Sequence, residues 1–314
     1  MTNKEDVEFK EKFIERYSRL TDFDVFKKYS LEFLRRSIRI NTLKMSVAEV
    51  KKRMSKDWSL KQIPWCKEGF WIDHKGKGDD YRRDVGNTLE HQFGYVYIQE
   101  AASMLPPIVL DPKPGEMVLD MCASPGSKTS QIAAMMKNRG LLVANDYQGM
   151  RLAPLGLNMQ RVGATNCVLT LMEGRFFKGF SFDKILVDAP CSGTGTIRKS
   201  FKTLRIWNPD MVRRLAATQK QLIDTAFNNL KKGGILVYST CSLEPEEDEG
   251  VVSYLLEKHD DARLVEIEVR GLKRSSAVLE FEGKTFNPEV KKCLRIWPQD
   301  NDTEGFFVCK IKKN

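Results

Sequence analysis

From about residue 96 onward, short apolar runs rich in β-branched residues alternate with longer segments whose apolar residues recur at helical spacing. Five runs have the composition of buried strands: 116–121, 140–145, 166–171, 183–188 and 234–239. When strands and helices alternate in this way, each helix crosses one face of a sheet and the strands that it joins run parallel. The pattern therefore predicts an α/β domain with a mostly parallel sheet and helices on both faces. Ligands of such sheets bind at the carboxyl ends of the strands.

The residues before this domain have a different pattern. They predict two helices, a strand, a third helix, and a polar loop or hairpin, at 7–20, 24–36, 37–43, 46–54 and 69–84. Ser46 and Glu49 have the spacing of a helix-starting capping box. We therefore predict a smaller α+β domain at 1–95, which binds RNA, and a catalytic domain at 96–314.

Composition limits the class of protein. The 314-residue chain is 41% hydrophobic and 30% charged, as in globular proteins. It has neither a long apolar run nor the apolar core of a signal peptide, so we expect a cytoplasmic protein, or a nuclear one in a eukaryote, without membrane contact. Seven cysteines without C-x-x-C spacing and three histidines argue against disulfides and against a metal site. Four thiols are expected in the core: Cys66, Cys167, Cys293 and Cys309.

The charge distribution favours a polyanionic partner. The formal net charge is +9, and residues 1–95 hold 21 Lys and Arg against 16 Asp and Glu. A basic excess toward one end is consistent with nucleic acid binding, although many basic proteins bind none.

Segment 118–131 (VLDMCASPGSKTSQ) predicts a strand, a turn of small residues and the start of a helix. It lacks both the G-x-G-x-x-G of dinucleotide-binding folds and the order of a P-loop. Asp146 lies 20 residues after Gly126, at the end of the next strand, where a carboxylate can accept both ribose hydroxyls. A ribose site without a pyrophosphate loop favours S-adenosylmethionine over NAD, with Glu173 at the adenine. The predicted cofactor contacts are Cys122, Ala123, Ser124, Pro125, Gly126, Ser127, Lys128, Asp146, Arg151, Glu173 and Asp188.

Two cysteines each follow a predicted strand. DAPCSG (188–193) follows the apolar run 182–187, and YSTCS (238–242) ends another such run. Cys191 and Cys241 would therefore lie at the same edge of the sheet as the cofactor turn. Two thiols at strand ends, each in a polar turn of small residues, are hard to explain by core packing.

Several motifs occur together in order: DMCASPGSKT, DAPCSGTG, YSTCSLEPEEDE and EGFFVCKIKK. They resemble the RNA 5-methylcytosine methyltransferases of the Nop/Sun/Fmu type, in a compact single-chain form. RINTLK (39–44) and GYVYIQEAASMLPPIVL (94–110) extend the resemblance, which covers residues 35–314. It implies a Rossmann-like, S-adenosylmethionine-dependent methyltransferase fold with a seven-stranded sheet.

The reaction of this family requires a nucleophile, because carbon 5 of cytosine is too weakly nucleophilic to take a methyl group directly. A thiolate adds to carbon 6, carbon 5 attacks the methyl group, and loss of the carbon-5 proton lets the thiol leave. The residues alone do not identify the attacking thiol, since in DNA cytosine methylases the nucleophile follows a proline, as Cys191 does. The resemblance implies that Cys241 attacks and that Cys191 serves product release. It also implies that Asp188 hydrogen-bonds N3, that Pro190 shapes the base pocket, and that Lys128 polarises the site.

The resemblance implies an RNA substrate. Only 53 residues separate RINTLK from IQEAAS, too few for an inserted PUA domain, so the N-terminal region must bind the RNA. We expect transfer RNA, with ribosomal RNA as the alternative, and a monomeric enzyme without a metal. Candidate phosphate contacts are Arg35, Arg36, Arg39 and Lys44.

The chain departs from the family pattern at three places. Glu173 replaces the usual Asp, Gln299 replaces a frequent histidine, and 198–207 (RKSFKTLRIW) differs from the usual R-x-N-P run. Other classes fit less well. An amino-group methyltransferase would carry N/D-P-P-Y/F in place of Asp-Ala-Pro-Cys, and an NAD-linked dehydrogenase would carry the glycine fingerprint. A non-catalytic RNA-binding or assembly factor could lose Cys241 or the cofactor turn, yet this chain retains both.

Overall fold

The computed structural model describes residues 7–82 and 84–314. Its N-terminal part contains, in chain order, α1 (Glu11–Ser18), α2 (Phe23–Leu31), β1 (Ser37–Ile40), α3 (Val47–Met54), β2 (Trp58–Gln62), β3 (Gly69–His74), α4 (Leu89–Gln92) and β4 (Val96–Ile98). The strands form an antiparallel sheet in the order β2-β3-β1-β4. The predicted capping box of Ser46 and Glu49 is present at the start of α3. The segment predicted as a loop or hairpin begins with β3, which forms a hairpin with β2.

The two sheets divide the chain into an N-terminal and a larger part, but the hydrophobic cores do not follow this division. Strand β4 ends at Ile98, three residues beyond the predicted boundary at residue 95. Helices α1 and α2 pack away from the small sheet: Phe13, Tyr17 and Phe26 share a core with Trp207 and Trp297 of the larger part. The first helices therefore contribute their apolar faces to the core of the larger part.

The larger part contains α5 (Leu105–Leu110), β5 (Met117–Asp120), α6 (Ser127–Met135), β6 (Leu141–Asp146), α7 (Gly149–Val162), β7 (Cys167–Leu171), β8 (Phe182–Asp188), α8 (Lys202–Ile206), α9 (Pro209–Asn228), β9 (Leu230–Thr240), α10 (Glu249–Lys258), β10 (Ala262–Leu264), β11 (Glu280–Phe281), β12 (Lys284–Thr285), β13 (Leu294–Ile296), α11 (Pro298–Asn301) and β14 (Phe306–Lys313). All five predicted strand runs are confirmed as β5 to β9. Helix α9 ends at Asn228, and β9 begins at Leu230, so the following residues 231–234 lie in the strand.

The large sheet has the strand order β10-β14-β9-β8-β5-β6-β7. Strands β5 to β9 pair in parallel, while β10 and β14 are antiparallel and β13 adds an eighth strand against β14. Helices α9 and α10 cover one face, and α5 and α6 cover the other. The predicted α/β architecture with a seven-stranded, mostly parallel main sheet is therefore confirmed.

The order of the strands determines where a ligand can enter. From β5 the chain moves outward through β6 to β7, then returns to the other side of β5 to build β8 and β9. Such a reversal separates the connections at the carboxyl ends of the two neighbouring strands and opens a crevice there. The crevice of this sheet lies at the ends of β5 and β8.

Two features are absent from the described residues. None of their helices combines the length and the apolar composition needed to cross a membrane. No cluster of three or more His, Cys, Asp or Glu side chains among them could hold a metal ion.

Candidate active site

A cavity of about 500 Å³ occupies the crevice, within the size range of small-molecule sites. Residues from the ends of β5, β6, β8 and β9 line it, together with side chains of α9. Of the predicted site residues, those that line it are Cys122, Ser124, Asp146, Arg151, Glu173, Asp188, Pro190, Cys191 and Cys241. One cavity thus brings six of the predicted cofactor residues and both cysteines together.

Asp146 presents a buried acceptor to this cavity. Its side chain is 1% exposed, and its Oδ1 accepts a hydrogen bond from the backbone N–H of Gln148. Its Oδ2 accepts no hydrogen bond from any described residue, although an Arg151 nitrogen lies 3.5 Å away. A buried carboxylate oxygen is costly to leave without a donor. Asp146 therefore has the unused acceptor that a ribose hydroxyl would satisfy.

The turn after β5 is shaped mainly by its neighbour α7. Five of the predicted cofactor contacts do not line the cavity: Ala123, Pro125, Gly126, Ser127 and Lys128. Gly126 has a φ of 102°, and a Cβ at this position would lie 2.8 Å from Cε of Met159. The glycine is therefore required by the backbone conformation and by close packing against α7.

Glu173 lies at the opposite wall in a more open environment. Its carboxylate forms an ion pair of 2.6 Å with Arg175, and both side chains are about half exposed. This pair is solvent-screened and adds little to stability. The Glu173 carboxylate is therefore available at the cavity wall, as the predicted adenine contact requires.

Lys128 does not itself line the cavity, but it forms a polar pair with Asp188, which does. The Lys128 ammonium donates to Asp188 Oδ2 at 2.7 Å and to the Ser103 hydroxyl at 3.1 Å. The Ser239 hydroxyl donates to the other Asp188 oxygen at 2.7 Å. Burial lowers the pKa of Lys128, but the charges of Asp188 and Cys241 more than offset this effect, so the pKa lies above its ordinary value. The lysine is therefore a fixed cation beside Asp188.

The two strand-end cysteines are neighbours. Their sulfur atoms lie 3.1 Å apart, within hydrogen-bond distance. The hydrogen bond to Cys241 and the burial of the site both raise the pKa of Cys191. Cys191 is thus held as a neutral thiol that can donate to Cys241.

Glu247 connects the two cysteine loops, and the sequence reasoning did not identify it. Its carboxylate accepts from the backbone N–H of Ser192 at 2.9 Å and from the Ser242 hydroxyl at 3.0 Å. Gln219 adds a third donor at 2.8 Å, and the Ser192 and Ser242 hydroxyls lie 3.0 Å apart. Each serine directly follows a cysteine, so this carboxylate fixes the distance between the thiols. Its only sequence signal was its place in YSTCSLEPEEDE.

Glu247→Gln gives a pH-dependent change in stability. Burial raises the pKa of Glu247 from 4.5 to about 7, so the folded protein binds the proton more tightly and loses stability as pH rises from about 4.5 to 7. The glutamine side chain of the variant does not titrate, so the variant does not undergo this loss of about 3 kcal/mol. We expect the free energy of unfolding of the variant, relative to wild type, to rise by about that amount between pH 4.5 and 8, as measured by urea denaturation.

The exposed Glu280→Gln variant controls for the loss of one negative charge. A difference between Glu247→Gln and wild type that does not change with pH would contradict the prediction.

Two predicted RNA contacts have structural partners. The prediction for Arg39 is wrong: its side chain is 1% exposed, and its guanidinium donates to Gln99 Oε1 at 2.8 Å and to the Ser130 hydroxyl at 2.6 Å. A phosphate cannot reach it, because the contact between the two parts of the chain covers it. Lys44 is exposed, and its ammonium donates to the carbonyls of Phe93 and Arg161; its contact with RNA stays a prediction.

The sheet, its reversal point and this cavity define the fold of the Rossmann-like, S-adenosylmethionine-dependent methyltransferases. Residues 107–312 match the family described as 16S rRNA methyltransferase RsmB/F. Residues 9–101 match the N-terminal domain of 16S rRNA methyltransferase RsmF. The chain therefore belongs to the RsmB/F family of methyltransferases, which confirms the resemblance found in the sequence.

Similar proteins include both tRNA and rRNA enzymes. A tRNA (cytosine(49)-C(5))-methyltransferase of Pyrococcus abyssi is 46% identical over 305 residues, 96% of each chain. A ribosomal RNA small subunit methyltransferase F of Shewanella oneidensis is 46% identical over 286 residues, which are 89% of this chain but 57% of that relative. The chain thus spans little more than half the length of such rRNA relatives.

Solved structures agree with the fold. A methyltransferase homolog from Pyrococcus horikoshii superimposes with a TM-score of 0.81 and 36% identity, over 97% of this chain and 100% of that one. NSun6 from Pyrococcus horikoshii, solved with SFG, has a TM-score of 0.83 at 24% identity over 97% of this chain and 98% of that one. At this identity, the second likeness supports the fold alone.

Proposed function

We propose that this protein transfers a methyl group from S-adenosylmethionine to carbon 5 of a cytosine in transfer RNA, through a covalent bond between Cys241 and the base. The observation that carries the proposal is the pair of thiols 3.1 Å apart in the same cavity as Asp188, to which Lys128 donates a hydrogen bond. The full-length similarity to a tRNA (cytosine(49)-C(5))-methyltransferase supports the reaction and the substrate class.

The residues of the outer cavity fit the cofactor. Asp146 has a buried oxygen without a donor for a ribose hydroxyl, and Glu173 offers a carboxylate at the wall. Arg151 holds the cofactor turn in place through two hydrogen bonds of 2.8 Å. Its guanidinium donates to the Ser124 carbonyl, and the Ser124 hydroxyl donates to the Arg151 carbonyl. Bound there, S-adenosylmethionine supplies an electrophilic methyl group.

The residues of the inner cavity fit a cytosine. Addition of the Cys241 thiolate to carbon 6 makes carbon 5 nucleophilic, and negative charge develops on the ring as the bond forms. Asp188 can hold a proton between its carboxyl group and N3, and the Lys128 ammonium at 2.7 Å stabilises charge at this point. Pro190 also lines the cavity, and the Gln219 side chain donates a hydrogen bond to the Pro190 carbonyl at 2.9 Å.

Cys191 is placed for the release step. After methyl transfer, solvent water acting as base takes the carbon-5 proton, and the electrons of that C–H bond form the carbon 5–carbon 6 double bond and expel the Cys241 thiolate from carbon 6. Cys191 lies next to the leaving sulfur and keeps its proton, because its pKa is raised. It can therefore donate a hydrogen bond to the Cys241 thiolate and stabilise it as it leaves.

Ribosomal RNA is the second candidate substrate. Relatives named ribosomal RNA small subunit methyltransferase F are as similar, at 46% identity, and the family description refers to 16S rRNA. Transfer RNA is favoured because the relative named for it matches over its full length. The proposal includes a monomer that acts in the cytoplasm. It requires no metal, since thiol, carboxyl and ammonium groups supply the acid–base chemistry.

Asp146→Ala is expected to weaken the binding of S-adenosylmethionine by about 10- to 100-fold, because the ribose loses hydrogen bonds to a charged acceptor. Isothermal titration calorimetry measures this affinity without RNA. Asp183→Ala is the matched control, as this aspartate begins strand β8 at the opposite edge of the sheet and pairs with Lys231. Equal affinities of Asp146→Ala and wild type would contradict the assignment.

Methyl transfer to defined RNAs tests the function. Purified protein and labelled S-adenosylmethionine are incubated with unmodified tRNA transcripts, and in parallel with a 16S rRNA transcript and small ribosomal subunits. Bisulfite sequencing then locates the modified base. We expect one 5-methylcytosine in tRNA. Methyl transfer only to rRNA would show that rRNA, and not tRNA, is the substrate. Label on an atom other than carbon 5 of cytosine, or on no RNA, would overturn the proposal.

A further inference from the structure

Part of one face of the N-terminal sheet remains outside the contact between the two parts of the chain. Side chains alternate along a strand, so Leu60, Phe70 and Ile72 pack in the core beneath α3, while Lys61 and Trp71 point to the other face. On that same face, Arg39 of β1 is buried against α6 of the larger part. The contact between the two parts thus covers β1 and reaches β3, where the half-buried Trp71 packs against the core of the larger part. The rest of the β2 and β3 face extends beyond it.

This open face forms the floor of a groove of about 470 Å³. We call it the aromatic groove and define it by Phe33, Arg35, Arg36, Lys61, Trp71 and Tyr81. The Arg35 guanidinium lies 4.0 Å from the centre of the Trp71 ring, and Arg36 lies 5.3 Å from that of Phe33. Phe33 is 61% exposed. Large exposed aromatic rings with cations beside them are the features of stacking platforms for single-stranded nucleic acid.

The charge of the groove is suited to an anion. Asp73 is the sole carboxylate among the described residues that line it, and it already accepts a hydrogen bond from the Tyr81 hydroxyl at 2.7 Å. Arg35 is engaged by the Asp302 carboxylate at 2.7 Å. Among the described residues, Arg36 and Lys61 form no ion pair, so their charges are the ones available to phosphates in this groove.

The groove lies at the same edge of the large sheet as the thiols. The pairing of Phe307 with Thr240 places the start of β14 beside the end of β9, next to Cys241. Just before β14, the Gly305 N–H donates to Gly195, whose own N–H donates to the Cys241 carbonyl, each at 2.9 Å. Asp302, the partner of Arg35, is three residues from Gly305, about 10 Å of extended chain. A short, continuous path of residues therefore connects the groove with the active site.

We infer that the aromatic groove binds a single-stranded segment of the RNA substrate, adjacent to the target cytosine in the chain of nucleotides. Bases stack on Phe33 and on the Arg35 guanidinium that covers the Trp71 ring, while Arg36 and Lys61 contact phosphates. A target base must leave its stack to reach a thiol inside a cavity, and its neighbours are then unpaired as well. This inference rests on the proposed function, since it assigns RNA to the same active site.

The test compares two double charge reversals. Arg36→Glu/Lys61→Glu alters the groove, and Lys178→Glu/Lys232→Glu makes the same change in charge at exposed lysines near the amino ends of β8 and β9, away from the thiols. RNA binding is measured by fluorescence anisotropy over a range of salt concentrations, and methyl transfer by steady-state kinetics. Thermal unfolding confirms that each variant is folded; if the glutamates prevent folding, glutamines replace them.

We expect the groove variant to have a Kd and a KM for RNA that are at least about tenfold higher, with an unchanged kcat at saturating RNA. The dependence of RNA affinity on salt concentration should fall by the equivalent of about one to two phosphate contacts. The control variant should behave like wild type. A separate Phe33→Ala variant should weaken RNA binding severalfold without changing the salt dependence, because it removes stacking only.

Each outcome separates the inference from the proposed function. Unchanged RNA binding in the groove variant, or an equal loss in the control, overturns the inference even if methylation is normal. Wild-type protein that methylates no RNA overturns the proposed function, while the binding measurements still decide whether the groove holds RNA. A loss of kcat alone would also overturn the inference, since it would place the effect on the chemical step.

Discussion

Cys191→Ala protein incubated with RNA and S-adenosylmethionine is expected to accumulate a covalent protein–RNA complex that survives denaturing gels. Cys241 can still attack the base and carbon 5 can still be methylated, but the release step lacks the thiol that lies 3.1 Å from the leaving sulfur. Turnover should fall about 100-fold or more, the size of a lost acid–base group. Electrophoresis of the complex and mass spectrometry of the attached nucleotide measure this result.

Cys241→Ala is the companion variant. It should lose methyl transfer by about 10⁴-fold or more and form no complex, since the nucleophile itself is absent. Cys309→Ala is a matched control, because this cysteine is buried in the sheet away from the cavity. If Cys241→Ala formed the complex and Cys191→Ala did not, the two roles would be exchanged. Activity in both variants would disprove covalent catalysis by these thiols.

Arg295→Met is expected to lower the free energy of unfolding by about 3 to 5 kcal/mol, as found when one partner of a buried ion pair is removed. The guanidinium is fully buried between Asp248 and Glu249, with nitrogen–oxygen distances of 3.1 and 2.5 Å. It also donates to the Leu243 carbonyl at 3.1 Å. Methionine fills much of the volume but leaves two buried carboxylates without their cation. Urea denaturation measures the loss.

The same substitution should reduce methylation below the unfolding transition, because residues 243–249 follow Cys241 directly and include Glu247. Arg213→Met controls for the removal of an arginine, since the ion pair of Arg213 with Asp210 is exposed and should contribute less than about 1 kcal/mol. A loss from Arg295→Met as small as that of the control would contradict the prediction.

Much of the site could be predicted because local sequence carries the information. Strand ends are visible where an apolar run stops, and parallel strands share one edge for their carboxyl ends. This reasoning placed Asp146, Asp188, Cys191 and Cys241 at one edge, and the structure brings all four to one cavity. The chemical assignment of the two thiols came from the family resemblance and still depends on the variants above.

The sequence by itself determined the alternation of strands and helices in the larger part and the motifs at the ends of its strands, since these follow from periodicity and turn chemistry within short segments. Only the tertiary structure decided which element covers which face. Arg39 looked like a phosphate contact but is buried between the two parts of the chain, and Glu247 looked like one acid among several but joins the cysteine loops. The physical reason is that a side chain's burial and hydrogen-bond partners depend on residues distant in sequence, which local patterns do not specify.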